Sequence, residues 1–180
     1  MEEALTFAVI AAVRLLVPLT VLRWPFWGGL ACIAADVFDS TFQDVVGVEP
    51  LEGHYHDVDK VFDLYYLAFE AWVARGWLDS LARVAALVLF GLRVFAVLLF
   101  ELTEARWLFF AVGPNIFENF YLFVAGMLTI NAAYRIPSKG HLAAIIVFVG
   151  APKVLQEYAM HYREAQTHDF VTEKIFRLPW

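Results

Sequence analysis

The sequence holds a single cysteine, Cys32, so one chain cannot build an internal disulfide framework, and a cysteine cluster for structural zinc is excluded. Charged residues make up only 18% of it, with no run of lysine or arginine to follow a nucleic-acid backbone. It also lacks a Gly-x-Ser-x-Gly elbow, a phosphate loop and a dinucleotide fingerprint, which removes the usual sequence grounds for those three enzyme classes. Glu157 and His161 are four apart rather than three and have no partner motif, so a di-iron bundle is not indicated. What is abundant is apolar surface: 61% of the 180 residues are hydrophobic, 17% are aromatic, and the mean hydropathy is +0.63. A soluble domain of this length needs far less, so the surplus is expected to face lipid.

A membrane crossing needs roughly 20 mostly apolar residues. Spans are expected at about 4–22, 25–44, 59–78, 80–103, 106–133 and 141–161, giving an all-α integral membrane protein: a single domain over 1–180, built as a bundle of about six transmembrane helices. The acidic start, Met1-Glu2-Glu3, is unlike the positive end of a secretory signal, so the first span is expected to be retained. Turn chemistry separates the spans at Arg23-Trp24-Pro25, at Arg75-Gly76-Trp77 and at 135–140, with Ser80 a candidate N-cap. Gly113-Pro114-Asn115 predicts a kink or late start in the fifth span. The segment 45–58 is a polar loop, and the tail 162–180 is amphipathic, suited to lying on the membrane surface. Trp24, Trp27, Trp72, Trp77 and Trp107 fall near span ends, as in an interfacial belt.

The informative residues are those that an isolated lipid-facing helix would not carry. Arg14, Asp36, Asp39, Asp63, Glu70, Arg93, Glu101, Glu118, Lys153 and Glu157 all lie within apolar segments. Each would cost roughly 2.5–3.5 kcal/mol at a helix centre on insertion scales, so they are expected to face one another or a wet cavity. Asp36 and Asp39 share one helical face; so do Asp59, Asp63 and Glu70, and so do Lys153, Glu157 and His161. With spans alternating in direction, these sets and Glu101, Glu104 and Arg106 all reach the same end of the bundle. Arg93 with Glu101 reads equally as a structural ion pair or as part of the cavity. Four converging carboxylates need a counter-cation, and oxygen ligands suit Mg²⁺ or Mn²⁺, with Ca²⁺ also compatible.

Asp36-x2-Asp39 followed across a polar loop by Asp59-x3-Asp63 resembles the CDP-alcohol phosphotransferase family, whose signature is D-x2-D-G-x2-A-R-x8-G-x3-D-x3-D. Asp36 and Asp39 match the first pair, whereas Ser40, Gln43 and Asp44 replace its Gly, Ala and Arg. Strict spacing then meets Gly53, Asp57 and Val61. A two-residue insertion aligns Asp59 and Asp63 and keeps both acids on one face, with Tyr55 in the glycine's place.

The resemblance implies six transmembrane helices and a phosphotransferase acting on a phospholipid precursor such as a CDP-alcohol. It implies Asp36, Asp39, Asp59 and Asp63 as metal ligands, with Asp63 also the base for the acceptor hydroxyl. Because the replaced positions are those that would contact the nucleotide, metal binding is better supported than CDP binding. A non-catalytic relative of the fold, or an ion- or proton-coupled transporter using the same carboxylates, stays open beside the enzyme.

Further candidates for substrate contact are Arg106, Asn115, Glu118, Lys153, Glu157 and His161. For Asn115 and Asn119 the alternative is to satisfy backbone freed by Pro114 or to bridge helices. For Lys153 it is to pair with Glu157. His54 and His56 read as solvated loop residues. Expected partners are membrane lipid and a phosphorylated or CDP-linked small molecule, with no nucleic acid; a homodimer stays open. The expected location is the plasma (inner) membrane of a prokaryote. Lysines and arginines divide almost evenly between the two faces, so they do not fix the orientation.

Overall fold

The computed structural model describes residues 2–46, 55–103 and 115–162; the side chains of 2–4, 39–46, 55–58 and 156–162 fall outside the description. Among the described residues the chain is all-helical: α1 Glu2–Leu16, a 3-10 helix Val17–Leu22, α2 Pro25–Val46, α3 Tyr55–Ala74, α4 Ser80–Thr103, α5 Ile116–Ile130 and α6 Lys139–Tyr162. The side chains of Asp39, Glu157 and His161, and the whole of Arg106, Pro114, His54 and the tail from 163, lie outside the described residues.

Proline sets the first corner. Pro18 has no N–H to continue the α1 ladder, so the first expected span divides into an α-helix and a 3-10 helix. Trp24 N–H donates to Thr20 O at 2.8 Å to close the turn, and Pro25 then opens α2, where a missing N–H is harmless. Gly28 is what lets the 3-10 helix lie directly on α2: a Cβ there would sit 2.5 Å from Val21 N and 2.6 Å from Val21 Cα.

At the α3–α4 turn Asp79, not Ser80, caps α4. Its Oδ1 accepts from Leu81 N–H at 2.9 Å, and its Oδ2 accepts from Ile136 N–H at 2.6 Å, tying this turn to the α5–α6 connection. The two carboxylate oxygens of Asp79 accept one donor each, from two different connections. Ser138 opens α6, accepting from His141 N–H at 3.3 Å. Pro152 lies inside α6, and Asn119 donates from α5 to Val149 O at 3.0 Å near that break, the helix-bridging role.

The bundle is apolar outside, and its interior packs Phe117, Phe120, Tyr121, Ile10 and Leu67 against small and polar side chains. α4 shows this most plainly: Ala82, Ala85, Ala86, Arg93, Ala96 and Val97 are buried, while Val84, Val88, Phe95, Leu98 and Leu102 are exposed. Small residues inside let helices approach closely. Two stretches, Leu5–Leu22 and Ser80–Thr103, are long and apolar enough to cross a membrane, yet only 28% and 22% of their residues are buried. A core helix of a soluble protein would be mostly covered.

Pro25–Phe38 and Ile116–Ile130 are apolar but shorter, and α3 falls below the same threshold with Asp59, Lys60, Asp63 and Glu70 along it. The fifth helix begins at Ile116, so within the described residues it is shorter than the span expected from 106. Trp24, Trp27 and Trp72 are exposed, but Trp77 is buried and stacks on Tyr121 at 5.7 Å between ring centroids. Trp77 therefore belongs to the core and not to an interfacial belt, because the turn after α3 folds it back under α5.

Candidate functional site

Three helices build the site. Arg14 comes from the last turn of α1, Asp36 from the middle of α2, and Asp59 and Asp63 from successive turns of one α3 face. One carboxylate oxygen from each of Asp36, Asp59 and Asp63 lies within 4.8 Å of the others. Asp59 and Asp63, one helical turn apart, both meet Asp36; the side chain of Asp57 lies outside the described residues.

Arg14 lies among all three. Its Nη1 donates to Asp36 Oδ1 at 2.7 Å, and its Nη2 donates to Asp59 Oδ1 at 2.6 Å and to Asp63 Oδ1 at 3.1 Å. Its side chain is 2% exposed, against 47%, 34% and 23% for the three acids, so the arginine forms the floor and the carboxylates the rim. Phe62 packs beneath the guanidinium at 5.8 Å. Arg93 Nη2 approaches Asp63 Oδ2 at 3.9 Å. Glu101 is taken by Lys60 at 2.8 Å, so the pairing of Arg93 with Glu101 is replaced by two pairs between α3 and α4. Arg93 and Glu101 are two helical turns apart on α4, whereas each faces α3 directly.

The donor set suits a hard divalent cation. Such ions hold oxygen ligands at about 2.0–2.6 Å, so opposed ligands span roughly 4 to 5 Å, the separation found here. Among the described residues the three acids offer oxygen ligands alone, without sulfur or imidazole, and could hold a metal ion. Arg14 engages the Oδ1 atom of each acid, so an ion would take the other oxygens or displace the guanidinium.

A second polar group lies deeper. Glu118, buried on α5, accepts from Tyr66 O–H at 2.7 Å and from Asn115 Nδ2 at 3.0 Å, with Lys153 Nζ at 3.8 Å from its Oε2. The structure thus brings together three of the expected substrate contacts, Asn115, Glu118 and Lys153. Lys153 reaches Glu118, while the side chain of its own-helix neighbour Glu157 lies outside the described residues. Asn115 stands at the α5 N-cap but spends its amide on Glu118 and makes no side-chain cap.

No protein-family model, characterised protein or solved structure matches this chain. The chemistry must therefore be argued from the residues.

The sequence marked Arg14 and Glu70 only as charges that must face a partner or a cavity, and did not mark Tyr66. Tyr66 was open to discovery, since it falls three residues after Asp63 and four before Glu70, on the same α3 face. Arg14 signalled only a need for opposite charge; nothing in α1 names the helices that supply it.

Proposed function

We propose that the chain is a membrane-embedded phosphotransferase that depends on a divalent cation and acts on a phospholipid precursor such as a CDP-alcohol. The observation that carries this reading is the meeting of Asp36, Asp59 and Asp63 within 4.8 Å, at the half-exposed mouth of an otherwise apolar bundle. The outward-facing Leu, Val and Phe of α1, α2 and α4 support placement in a membrane, and we assign it to the plasma membrane of a prokaryote. Asp39, one turn after Asp36, completes the expected ligand set.

When bound, the cation neutralises a diphosphate and the charge building on the leaving CMP. The rest falls to side chains. Asp63, the least exposed of the three acids, takes the proton of the acceptor hydroxyl as that oxygen attacks phosphorus and the bond to CMP breaks. Arg14 and Arg93 hold Asp63 in place. Lys153 and Asn115 line the α5–α6 side, where a head group would sit.

One observation favours a second reading. Arg14 donates to one oxygen of each of the three carboxylates, which suits a non-catalytic relative in which the arginine is a permanent counter-ion. The two readings separate in one assay. Purified full-length protein in liposomes, given a CDP-alcohol and Mn²⁺, should release CMP, and Asp36→Asn should abolish the release. Absence of turnover across a panel of CDP-alcohols, with Mn²⁺ bound, would assign the chain to the second reading.

A further inference from the structure

The polar face of α3 does not stop at the triad. Asp59, Asp63, Tyr66 and Glu70 follow one another at helical spacing, so the face runs about 16 Å along the axis, roughly half the thickness of a bilayer's hydrocarbon core. Glu70 ends this column, with 0% of its surface exposed. Neither of its carboxylate oxygens has a hydrogen-bond partner among the described residues.

Its surroundings are close-packed. A Cβ placed on Gly29 of α2 would come within 3.0 Å of Glu70 Oε1, 2.8 Å of Leu122 Cδ2 and 3.3 Å of Tyr121 Cε1. The titratable or charged groups facing this region are Cys32 on α2, Tyr66 on α3, Glu118 and Tyr121 on α5, and Lys153 on α6 behind Glu118. Tyr121 spends its hydroxyl on Pro25 O at 3.2 Å.

The two buried glutamates are treated oppositely. Glu118 receives a phenol O–H and an amide N–H, with an ammonium nearby. Glu70 receives no donor and no cation from the described residues. Burying a bare carboxylate costs far more than burying a neutral acid.

We propose that Glu70 is a proton-binding site in the interior of the bundle, reached along the α3 face from the acidic triad and set beside the hydrogen-bonded Glu118. This gives the chain a proton-holding function independent of any chemistry at the triad.

The test is infrared difference spectroscopy on the full-length protein in lipid at neutral pH. The wild type should show the carbonyl stretch of a protonated carboxylic acid, shifted down in D₂O and unchanged when choline replaces sodium and potassium. Glu70→Gln should remove that band, while Glu118→Gln should move it by changing its neighbour. If Glu70→Gln does not fold, Glu70→Asp, which retains a shorter acid, should shift the band. A wild-type spectrum without the band overturns the proposal, as does a band insensitive to both Glu70 substitutions. A band that appears only after alkali ions are withdrawn also overturns it, in favour of a metal-ion site.

Discussion

Arg14 Nη2 lies 2.6 Å from Asp59 Oδ1, joining the end of α1 to the start of α3 across 45 positions of sequence. The same guanidinium also holds Asp36 and Asp63, so three helices share one cation. Removing it would leave three crowded carboxylates repelling one another. Arg14→Gln should cost roughly 2 kcal/mol of stability, below the 3–5 kcal/mol range for a fully buried pair because the acids are partly exposed. Denaturant unfolding in mixed micelles measures this. Added Mg²⁺ should restore most of the loss, since it supplies the missing charge.

Gly28 and Gly91 make a matched pair. Gly28→Ala would drive a Cβ into the backbone of Thr20 and Val21, so it should cost about 1–3 kcal/mol or prevent folding. Gly91 has open space around its Cβ position, and Gly91→Ala should be neutral or raise stability by about 0.5–1 kcal/mol through helix propensity. Thermal melts of the two variants side by side test how closely the 3-10 helix packs on α2.

Asp79 fastens two connections at one end of the bundle. Asp79→Ala should cost about 1–2 kcal/mol and speed amide exchange at both Leu81 and Ile136. Burial, and then the neighbouring Asp79 charge, raise the pKa of the Tyr134 phenol above its ordinary value of 10.0. Its phenolate should accordingly appear at higher pH than that of free tyrosine, and Asp79→Asn should bring it part of the way back in an ultraviolet titration.

Tryptophan burial tests the membrane placement. Lipids brominated on their acyl chains should quench the fluorescence of Trp24, Trp27 and Trp72, which are exposed on the outer face. Replacing any of these by Phe should lower the quenched fraction. Trp77→Phe should leave it almost unchanged, because Trp77 is covered by Tyr121.

The helix joins were largely legible, because Pro25, Gly76 and Pro137 act locally through φ and missing donors, but the division of the first span at Pro18 was not. Asp36, Asp59 and Asp63 were legible as a group because each side chain is out of place in an apolar helix. Partner choice was not. Arg93 could pair with Glu101 or Asp63 on charge alone, and only the α3–α4 packing decides for Asp63. Nothing local distinguished Trp77 from the other span-end tryptophans, since its burial depends on where α5 lies.

The most direct test of the acidic centre is a Mn²⁺ titration of the full-length protein followed by electron paramagnetic resonance. The wild type should take up one ion per chain with a spectrum of oxygen ligation. Asp59→Asn and Asp63→Asn should each abolish that uptake, and Arg14→Gln should tighten it by removing a competing cation. Uptake that is absent in the wild type, or that survives both aspartate substitutions, would contradict a metal centre formed by Asp36, Asp59 and Asp63.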